Sequence, residues 1–327
     1  MMGSPRFGAD LCLLALLASL ATAPAAFGDD YPSKPVRLIV PYPPGGGTDL
    51  IARPLAERLA AKLGQQFIVD HRGGANGNIG MELAARATPD GYTLVLALTA
   101  QLAINPAFYP HLPYDAMRSY APIGLLASAP YLLTVNPSLP VQSVADLISL
   151  ARAEAGKVMF STSGTGGIPH LAGELLNHTA GIKMVAVPYK GGGPAMLDVM
   201  AGQVQANFAA IPGAIVHVKS GRLRAVAVTS AKRFPALPDV PAIAETLPGY
   251  EIATWFCVLG PAGTSRALVQ KLNRQIVDII SDPLMRDYSL ANGFQPLTST
   301  PEKLAAYIES EMTRWAKIVK ESGVKPD

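Results

Sequence analysis

Residues 36–49 read VRLIVPYPPGGGTD, and this stretch decides the fold. Apart from Arg37, Val36 to Val40 form a short run of apolar and mostly β-branched side chains, which is typical of a buried strand. The glycines Gly45 to Gly47 follow as a turn, and Thr48 and Asp49 are residue types that favour the start of a helix. The stretch therefore predicts a strand, a glycine loop and a helix in succession, which is the repeating unit of an open parallel sheet.

The same unit recurs along the chain, and the last fifth of the sequence is helical. This rhythm indicates two similar α/β lobes. The predicted strands lie at residues 36–40, 66–70, 92–98, 157–161, 184–187, 204–208 and 225–228. The predicted helices lie at residues 48–64 (which include the expected caps at both ends), 79–86, 144–155, 169–179, 194–202, 268–280 and 304–322.

Length and composition place the chain among ordered globular proteins. Its 327 residues correspond to roughly two domains of ~150 residues. Hydrophobic residues make up 49% and charged residues 16%, which excludes intrinsic disorder. The net charge of +3 comes from 27 basic and 24 acidic residues without a block of like charge, so we expect no nucleic-acid partner.

The first 28 residues have the pattern of an export signal. Arg6 provides a weak positive region, Leu11 to Leu20 an apolar stretch, and Pro24 interrupts the segment after it. Small residues at Ala26 and Gly28 predict cleavage after Gly28 and a periplasmic protein. A membrane anchor is the alternative, and the short apolar stretch disfavours it. Removal of residues 1–28 leaves Cys257 as the one cysteine, so we expect no internal disulfide.

Three glycine loops follow predicted strands and precede predicted helices: Gly45–Gly47, Gly73–Gly77 and Gly164–Gly167. In an open sheet such loops lie at the carboxyl ends of strands, where helix N-termini offer unpaired amides to anions. The alternative is that these glycines only make tight turns. Neither a phosphate-loop lysine nor a G-x-G-x-x-G fingerprint is present, so a carboxylate fits better than a nucleotide, and we expect no cofactor.

Catalytic signatures are weak. No G-x-S-x-G motif surrounds Ser163, although a hydrolase that uses Ser163 with His170 remains the runner-up function. His170, Glu174 and His178 are spaced to share a helical face, but no further ligand type assists them, and we expect no metal site. Cys257 lies in an apolar run and is interpreted as a buried structural thiol, while its neighbour Trp255 fits either a cleft wall or the core.

Over residues 31–325 the chain resembles the substrate-binding proteins of tripartite tricarboxylate transporters, also called the Bug family. The motifs that carry the resemblance occur in the same order along the chain. They are YPPGGGTD (42–49), GANGNIG (74–80), PDGYTL (89–94), LPYD (112–115), VPYKG (187–191), PDVP (238–241), PGYE (248–251) and GPAGT (260–264).

The resemblance implies a type II periplasmic-binding-protein fold, in which two α/β lobes close around a ligand cleft. Two crossing segments, near 126–133 and 251–256, would join lobe one (31–127 plus 253–327) to lobe two (128–252). The implied function is capture of a small carboxylated solute by a monomer. The receptor would deliver it to the ion-coupled membrane subunits of a tripartite tricarboxylate transporter, without catalysis. A ligand-dependent role beside a membrane sensor remains an alternative.

Matching motifs also transfer the family's ligand contacts to this chain. The implied contacts are Tyr42, Gly45, Gly46, Gly47, Asp49 and Asn76 in lobe one, and Thr162, Ser163, Gly164, Thr165, Gly166 and His170 in lobe two. The chain departs from the family pattern near the expected cleft at His71, Gly73, Ala209 and Cys257. Ala209 replaces a frequent Asp that would accept an ammonium group, which favours a carboxylate without an amine. Tyr42, Phe208 and Trp255 are candidate aromatic walls.

Overall fold

Two mixed β-sheets share one long strand, and helices cover their faces. The computed structural model describes residues 31–322 and residue 324. The expected export signal, residues 1–28, lies outside the described residues. The described part of residues 34–327 forms one compact unit.

Strands and helices alternate through most of the chain, as the sequence predicts. The strands are β1 (Val36–Val40), β2 (Phe67–His71), β3 (Thr93–Leu98), β4 (Tyr120–Val135), β5 (Met159–Thr162), β6 (Val185–Pro188), β7 (Ala206–Ala210), β8 (Arg224–Val228), β9 (Ala253–Pro261) and β10 (Gln295–Pro296). The helices are α1 (Asp49–Leu63), α2 (Asn78–Ala85), α3 (Asn105–Phe108), α4 (Val144–Ala153), α5 (Ile168–Ala180), α6 (Gly192–Met200), α7 (Ile211–Lys219), α8 (Arg266–Ser281), α9 (Pro283–Ala291) and α10 (Pro301–Ser322).

Neither sheet is purely parallel, in contrast to the open parallel sheet that the sequence predicts. The first sheet has the order β2-β1-β3-β9-β4, with β10 beside β4. The second has the order β4-β7-β5-β6, with β8 on the other side of β4. The parallel pattern holds for β2-β1-β3 and β7-β5-β6, whereas β4 and β9 run antiparallel to their neighbours.

Strand β4 passes from one sheet to the other within its own length. Its residues Tyr120 to Pro130 pair with β9 in the first sheet, and Tyr131 to Val135 pair with β7 and β8 in the second. The sequence did not predict this strand as a whole, because Pro122 and Pro130 lie inside it and proline cannot donate to a ladder. The ladder accommodates Pro122 with a shift in register just after it.

Local signals place the helix ends. Helix α1 ends where Gly64 adopts a left-handed conformation, as predicted. A capping box formed by Ser143 and Asp146 starts α4. Helices α7 and α9 were not predicted, although Pro212 and Pro283 lie in their first turns. Among the described helices, none combines the length and apolar character that a membrane crossing requires.

Candidate functional site

A cavity of about 800 Å³ is lined by loops of both sheets and by the strands that connect them. Within the described part of the chain, none of the side chains that line it is charged. Glycine backbone, neutral polar groups and apolar side chains make up the lining. Its members include Tyr42, Gly45–Leu50 without Asp49, Asn76, Leu98, Ala129–Tyr131, Ser163, Gly166–Pro169, Ala210–Pro212, Thr254, Phe256 and Asn292–Phe294.

The cavity brings together residues from both groups that the sequence analysis assigned to ligand binding. Those that line it are Tyr42, Gly45, Gly46, Gly47, Asn76, Ser163 and Gly166. Those that do not line it are Asp49, Thr162, Gly164, Thr165 and His170. Three of the residues outside the lining, Asp49, Thr162 and His170, make hydrogen bonds to the backbone of the glycine loops.

Asp49 binds the backbone of the first glycine loop on the side away from the cavity. Its side chain is 9% exposed, and its Oδ2 accepts a hydrogen bond of 2.6 Å from the Gly45 amide. Burial alone raises the pKa of Asp49, but the Gly45 amide, His71 and Arg53 together outweigh it, so the pKa lies below its ordinary value. Asp49 is therefore an ionised anchor for the loop.

Tyr42 and Asn76 are held by a buried glutamine that sequence reasoning missed. Gln101 donates from Nε2 to the Tyr42 hydroxyl (2.8 Å) and to the Asn76 carbonyl (2.9 Å). Asn76 adopts a left-handed conformation with φ of +53°, a form stabilised here by these contacts and by a 2.8 Å bond from its Nδ2 to Asn105. Because the Tyr42 oxygen accepts from Gln101, its own hydrogen is left to donate elsewhere.

At the loop after β5, Ser163 lines the cavity while the preceding residue, Thr162, is buried. Thr162 is buried, and its hydroxyl donates to the Gly164 carbonyl at 3.1 Å. Helix α5 follows with Gly167 at its N-cap and Pro169 in its first turn, and both line the cavity. The start of this helix therefore faces the cavity, where its partial positive charge favours an anion.

His170 lies behind this loop. Its Nδ1 accepts a hydrogen bond of 3.1 Å from the Gly166 amide, and its Nε2 lies 3.8 Å from Glu174. Burial raises the pKa of Glu174. His178, two turns further on, pairs instead with Glu321 of α10 at 3.3 Å. Among residues 31–322 and 324, no group of three or more His, Cys, Asp or Glu side chains is arranged to hold a metal ion.

The aromatic walls differ from those expected. Trp255 and Phe208 are buried in the core and do not line the cavity; Phe208 packs edge-on against Phe160 at 6.1 Å. Successive side chains of a strand point to opposite faces of the sheet. Trp255 of β9 therefore points into the core, while its neighbours Thr254 and Phe256 point to the cavity. The wall residues that replace them are Tyr131, Phe256 and Phe294.

Tyr131 and Thr254 form a polar pair in the cavity wall. The Tyr131 hydroxyl lies 3.1 Å from the Thr254 hydroxyl, and the residues belong to β4 and β9. Burial raises the pKa of Tyr131, so its hydroxyl stays protonated. Both residues lie in the predicted crossing segments, 126–133 and 251–256, and this was the one indication in the sequence that they could lie near the ligand site.

Ala209, which carried the argument against an amine, is buried in β7 and is not part of the lining. None of the described residues that line the cavity is acidic.

Several known proteins are similar to this chain in sequence and architecture. The family described as tripartite tricarboxylate transporter family receptor matches residues 51–324. Protein BugT of Bordetella pertussis (strain Tohama I) is 36% identical over 311 residues, which cover 94% of this chain and 95% of that protein.

Two solved structures of ligand-bound proteins are also similar. "R. palustris Rpa4515 with adipate" has a TM-score of 0.79 and 36% identity, and the match covers 91% of this chain and 100% of that one. "MatC (Rpa3494) from Rhodopseudomonas palustris with bound malate" has a TM-score of 0.73 and 28% identity, covering 88% and 100%. The chain belongs to the tripartite tricarboxylate transporter family of receptors, periplasmic solute-binding proteins built from two α/β lobes around a cleft.

Proposed function

We propose that this protein captures a small carboxylated solute in the cavity between its two lobes and presents it to the membrane subunits of a tripartite transporter. The observation that carries the proposal is a cavity of about 800 Å³ whose uncharged lining includes glycine loops at the starts of two helices. Backbone amides at helix starts suit a carboxylate. The related proteins named with adipate and malate support the same ligand class.

The solute has no ammonium group. A desolvated ammonium needs an acceptor, preferably an anion, and the described lining offers no carboxylate for it. Donors instead lie at both loops, around Gly45–Gly47 and around Ser163, with Tyr131, Phe256 and Phe294 between or beside them. A dicarboxylate with an apolar spacer, or an aromatic carboxylate, matches this distribution of polar and apolar surface.

Ligand capture, and not hydrolysis, is the function of Ser163 and His170. In a hydrolase the imidazole must accept the serine proton. Here Nδ1 of His170 already accepts from the Gly166 amide, so the neutral ring carries its proton on Nε2, toward Glu174. With Nδ1 engaged by the Gly166 amide and Nε2 carrying a proton, the neutral ring cannot accept the serine proton at either nitrogen. If the protein instead signals to a membrane sensor when its ligand is bound, the same site would bind the same ligand.

The lobes comprise residues 31–127 plus 253–327 and residues 128–252, and the ligand draws them together. The change of pairing partner between Pro130 and Tyr131 in β4 supports a crossing there. The hydrogen bond from Ile252 to Thr229, just before β9 joins the first sheet, supports the second crossing. The mature protein is a periplasmic monomer that begins near Asp29.

A thermal-shift screen followed by mass spectrometry of co-purified solute tests this function. Adipate, malate and benzoate should stabilise the protein, whereas aspartate and glutamate should not. A ligand at 100 times its Kd stabilises a protein by about 2.7 kcal/mol, which a melting curve resolves. Stabilisation by the amino acids alone would disprove the amine-free ligand. If no carboxylate stabilises the protein and none co-purifies, capture of carboxylates is wrong.

A further inference from the structure

His71 lies at the end of β2, outside the cavity, and contacts both ends of the first glycine loop. The register of β1 with β2 places it opposite Val40, two residues before Tyr42. Its Nδ1 lies 3.0 Å from the Tyr42 carbonyl, and its Nε2 lies 3.1 Å from Oδ1 of Asp49. One ring therefore spans the loop whose glycines line the cavity.

Each of the two contacts favours a proton on the ring nitrogen that makes it: Nδ1 faces the Tyr42 carbonyl, and Nε2 faces the Asp49 carboxylate. A carbonyl oxygen and an ionised carboxylate only accept hydrogen bonds, so a neutral ring would turn one lone pair against another oxygen. His71 Nε2 and Asp49 Oδ1 are buried and lie 3.1 Å apart, without an aligned hydrogen bond to each other or to any other group among the described residues. The imidazolium is the form of the ring that satisfies both contacts.

The surrounding charges leave Asp49 as the carboxylate for this ring. The neighbouring Asp70 is paired with Arg72 at 3.0 Å and with Arg37 of β1. Arg53 of α1 also approaches Asp49, but at 3.4 Å and with its side chain 56% exposed, so water screens its charge. His71 is thus the buried partner that balances Asp49.

We propose that His71 is a positioning residue of the ligand site, which as an imidazolium holds the Tyr42–Asp49 loop and cancels the charge of Asp49 beside the loop amides. The consequence rests on the proposed capture of a carboxylate. When His71 loses its proton, the pair becomes a net anion behind Gly45 and repels the ligand. Affinity for a carboxylate is therefore weaker at a pH at which the His71 ring is neutral.

The protonation state is tested first, without ligand. Nitrogen-15 spectra of the histidine rings, assigned by comparison with His71→Asn, should show both ring nitrogens of His71 protonated at pH 6.5. Asp49→Asn should convert the ring to a single neutral tautomer at the same pH. A neutral His71 in the wild type at pH 6.5 would overturn the proposal, whatever the ligand is.

The effect on binding is tested with adipate, whose two carboxylates are both ionised from pH 6.5 to pH 9. Calorimetry on the wild type should show affinity falling at least fivefold over this range. His71→Asn should bind more weakly at pH 6.5 and show no fall with pH, while the exposed His111→Asn should behave as the wild type. If His71→Asn keeps the same fall in affinity with pH as the wild type, His71 has a purely structural role, and the proposal is wrong. If adipate does not bind at any pH, it is not a ligand of this protein. The nitrogen-15 spectra would still decide whether His71 is protonated.

Discussion

The indole N–H of Trp255 in β9 donates to Oε2 of Glu311 in α10 at 2.9 Å, and the indole of Trp315 donates to the same oxygen at 3.0 Å. Both indoles are buried, and the Glu311 side chain is 6% exposed. Arg314 approaches the other oxygen at 3.0 Å. One carboxylate therefore fixes the C-terminal helix to a strand that contributes two neighbouring residues to the cavity wall.

Glu311→Ala should lower the free energy of unfolding by about 2–4 kcal/mol, since it leaves two buried indole donors unpaired. Urea denaturation followed by tryptophan fluorescence measures the change. Glu309→Ala, an exposed position on the same helix, should remain within about 0.5 kcal/mol of the wild type. A loss below about 1 kcal/mol in Glu311→Ala would show that the indoles find other acceptors.

Ser163→Ala should weaken carboxylate binding by about tenfold, which corresponds to ~1.4 kcal/mol. Ser163 lines the cavity, and one hydrogen bond to a charged group contributes about 1.5–3 kcal/mol. Thr165→Val is the matched control from the same loop, because Thr165 does not line the cavity and its variant should bind normally. Equal losses in calorimetry of the two variants would instead indicate a general effect on the loop.

Gly293→Ala should weaken ligand binding by keeping the lobes apart. A Cβ at Gly293 would lie 2.8 Å from Cδ of Pro212 in α7, and φ at Gly293 is +78°. Gly249 has a similar φ of +87° but open space around it, so Gly249→Ala carries the backbone strain of about 1 kcal/mol without the clash.

Small-angle scattering and calorimetry with adipate distinguish these glycine variants. The wild type and Gly249→Ala should become more compact with ligand, and Gly293→Ala should compact less and bind at least fivefold more weakly. Equal affinity and compaction in all three proteins would show that the Gly293 contact plays no part in closure.

Glu245→Gln should reduce stability at neutral pH and much less in acid. Arg233 donates two hydrogen bonds of 2.9 Å to Glu245, and these, with the Ala242 amide, lower the pKa of Glu245 to about 2. A carboxyl whose pKa is lowered on folding contributes stability above its unfolded pKa of about 4.3, and this contribution disappears as pH falls toward 2. The urea midpoints of wild type and variant should therefore converge between pH 7 and pH 3. An exposed control, Glu57→Gln, should show no such convergence.

Cys257 should not react with a thiol reagent until the protein unfolds. Its side chain is buried in β9, and burial raises the pKa of the thiol. Titration with an aromatic disulfide, on a chain that begins at Asp29, should detect no reactive thiol in buffer and one in concentrated urea. Rapid reaction of the folded protein would mean that β9 separates from its neighbours in the native state.

Local patterns sufficed for much of this molecule. The stretch from Val36 to Asp49 predicted a strand, a glycine loop and a helix, and the structure confirms all three. Gly64 was predicted to end α1 and does so in a left-handed conformation. These features depend on neighbours along the chain, which a sequence displays directly.

Features set by contacts between distant segments could not be predicted in the same way. Gln101, which lies in a π-helical segment (Ala100–Ile104), bonds to Tyr42 from far along the chain. Tyr131 meets Thr254 only because β4 and β9 pair. The side of β9 that buries Trp255 depends on the packing of α10, which local alternation does not specify. The antiparallel course of β4 was hidden by its internal prolines.

The uncharged lining of the cavity also has an environmental consequence. Dissolved salt weakens attraction between separated charges over about 10 Å at 0.1 M, but it does not act on amides in direct contact with an enclosed carboxylate. The described lining contains glycine backbone and hydroxyl groups and no cationic side chain. Affinity should therefore change little between fresh and saline surroundings, which suits a compartment whose ionic strength follows that of the medium outside the cell.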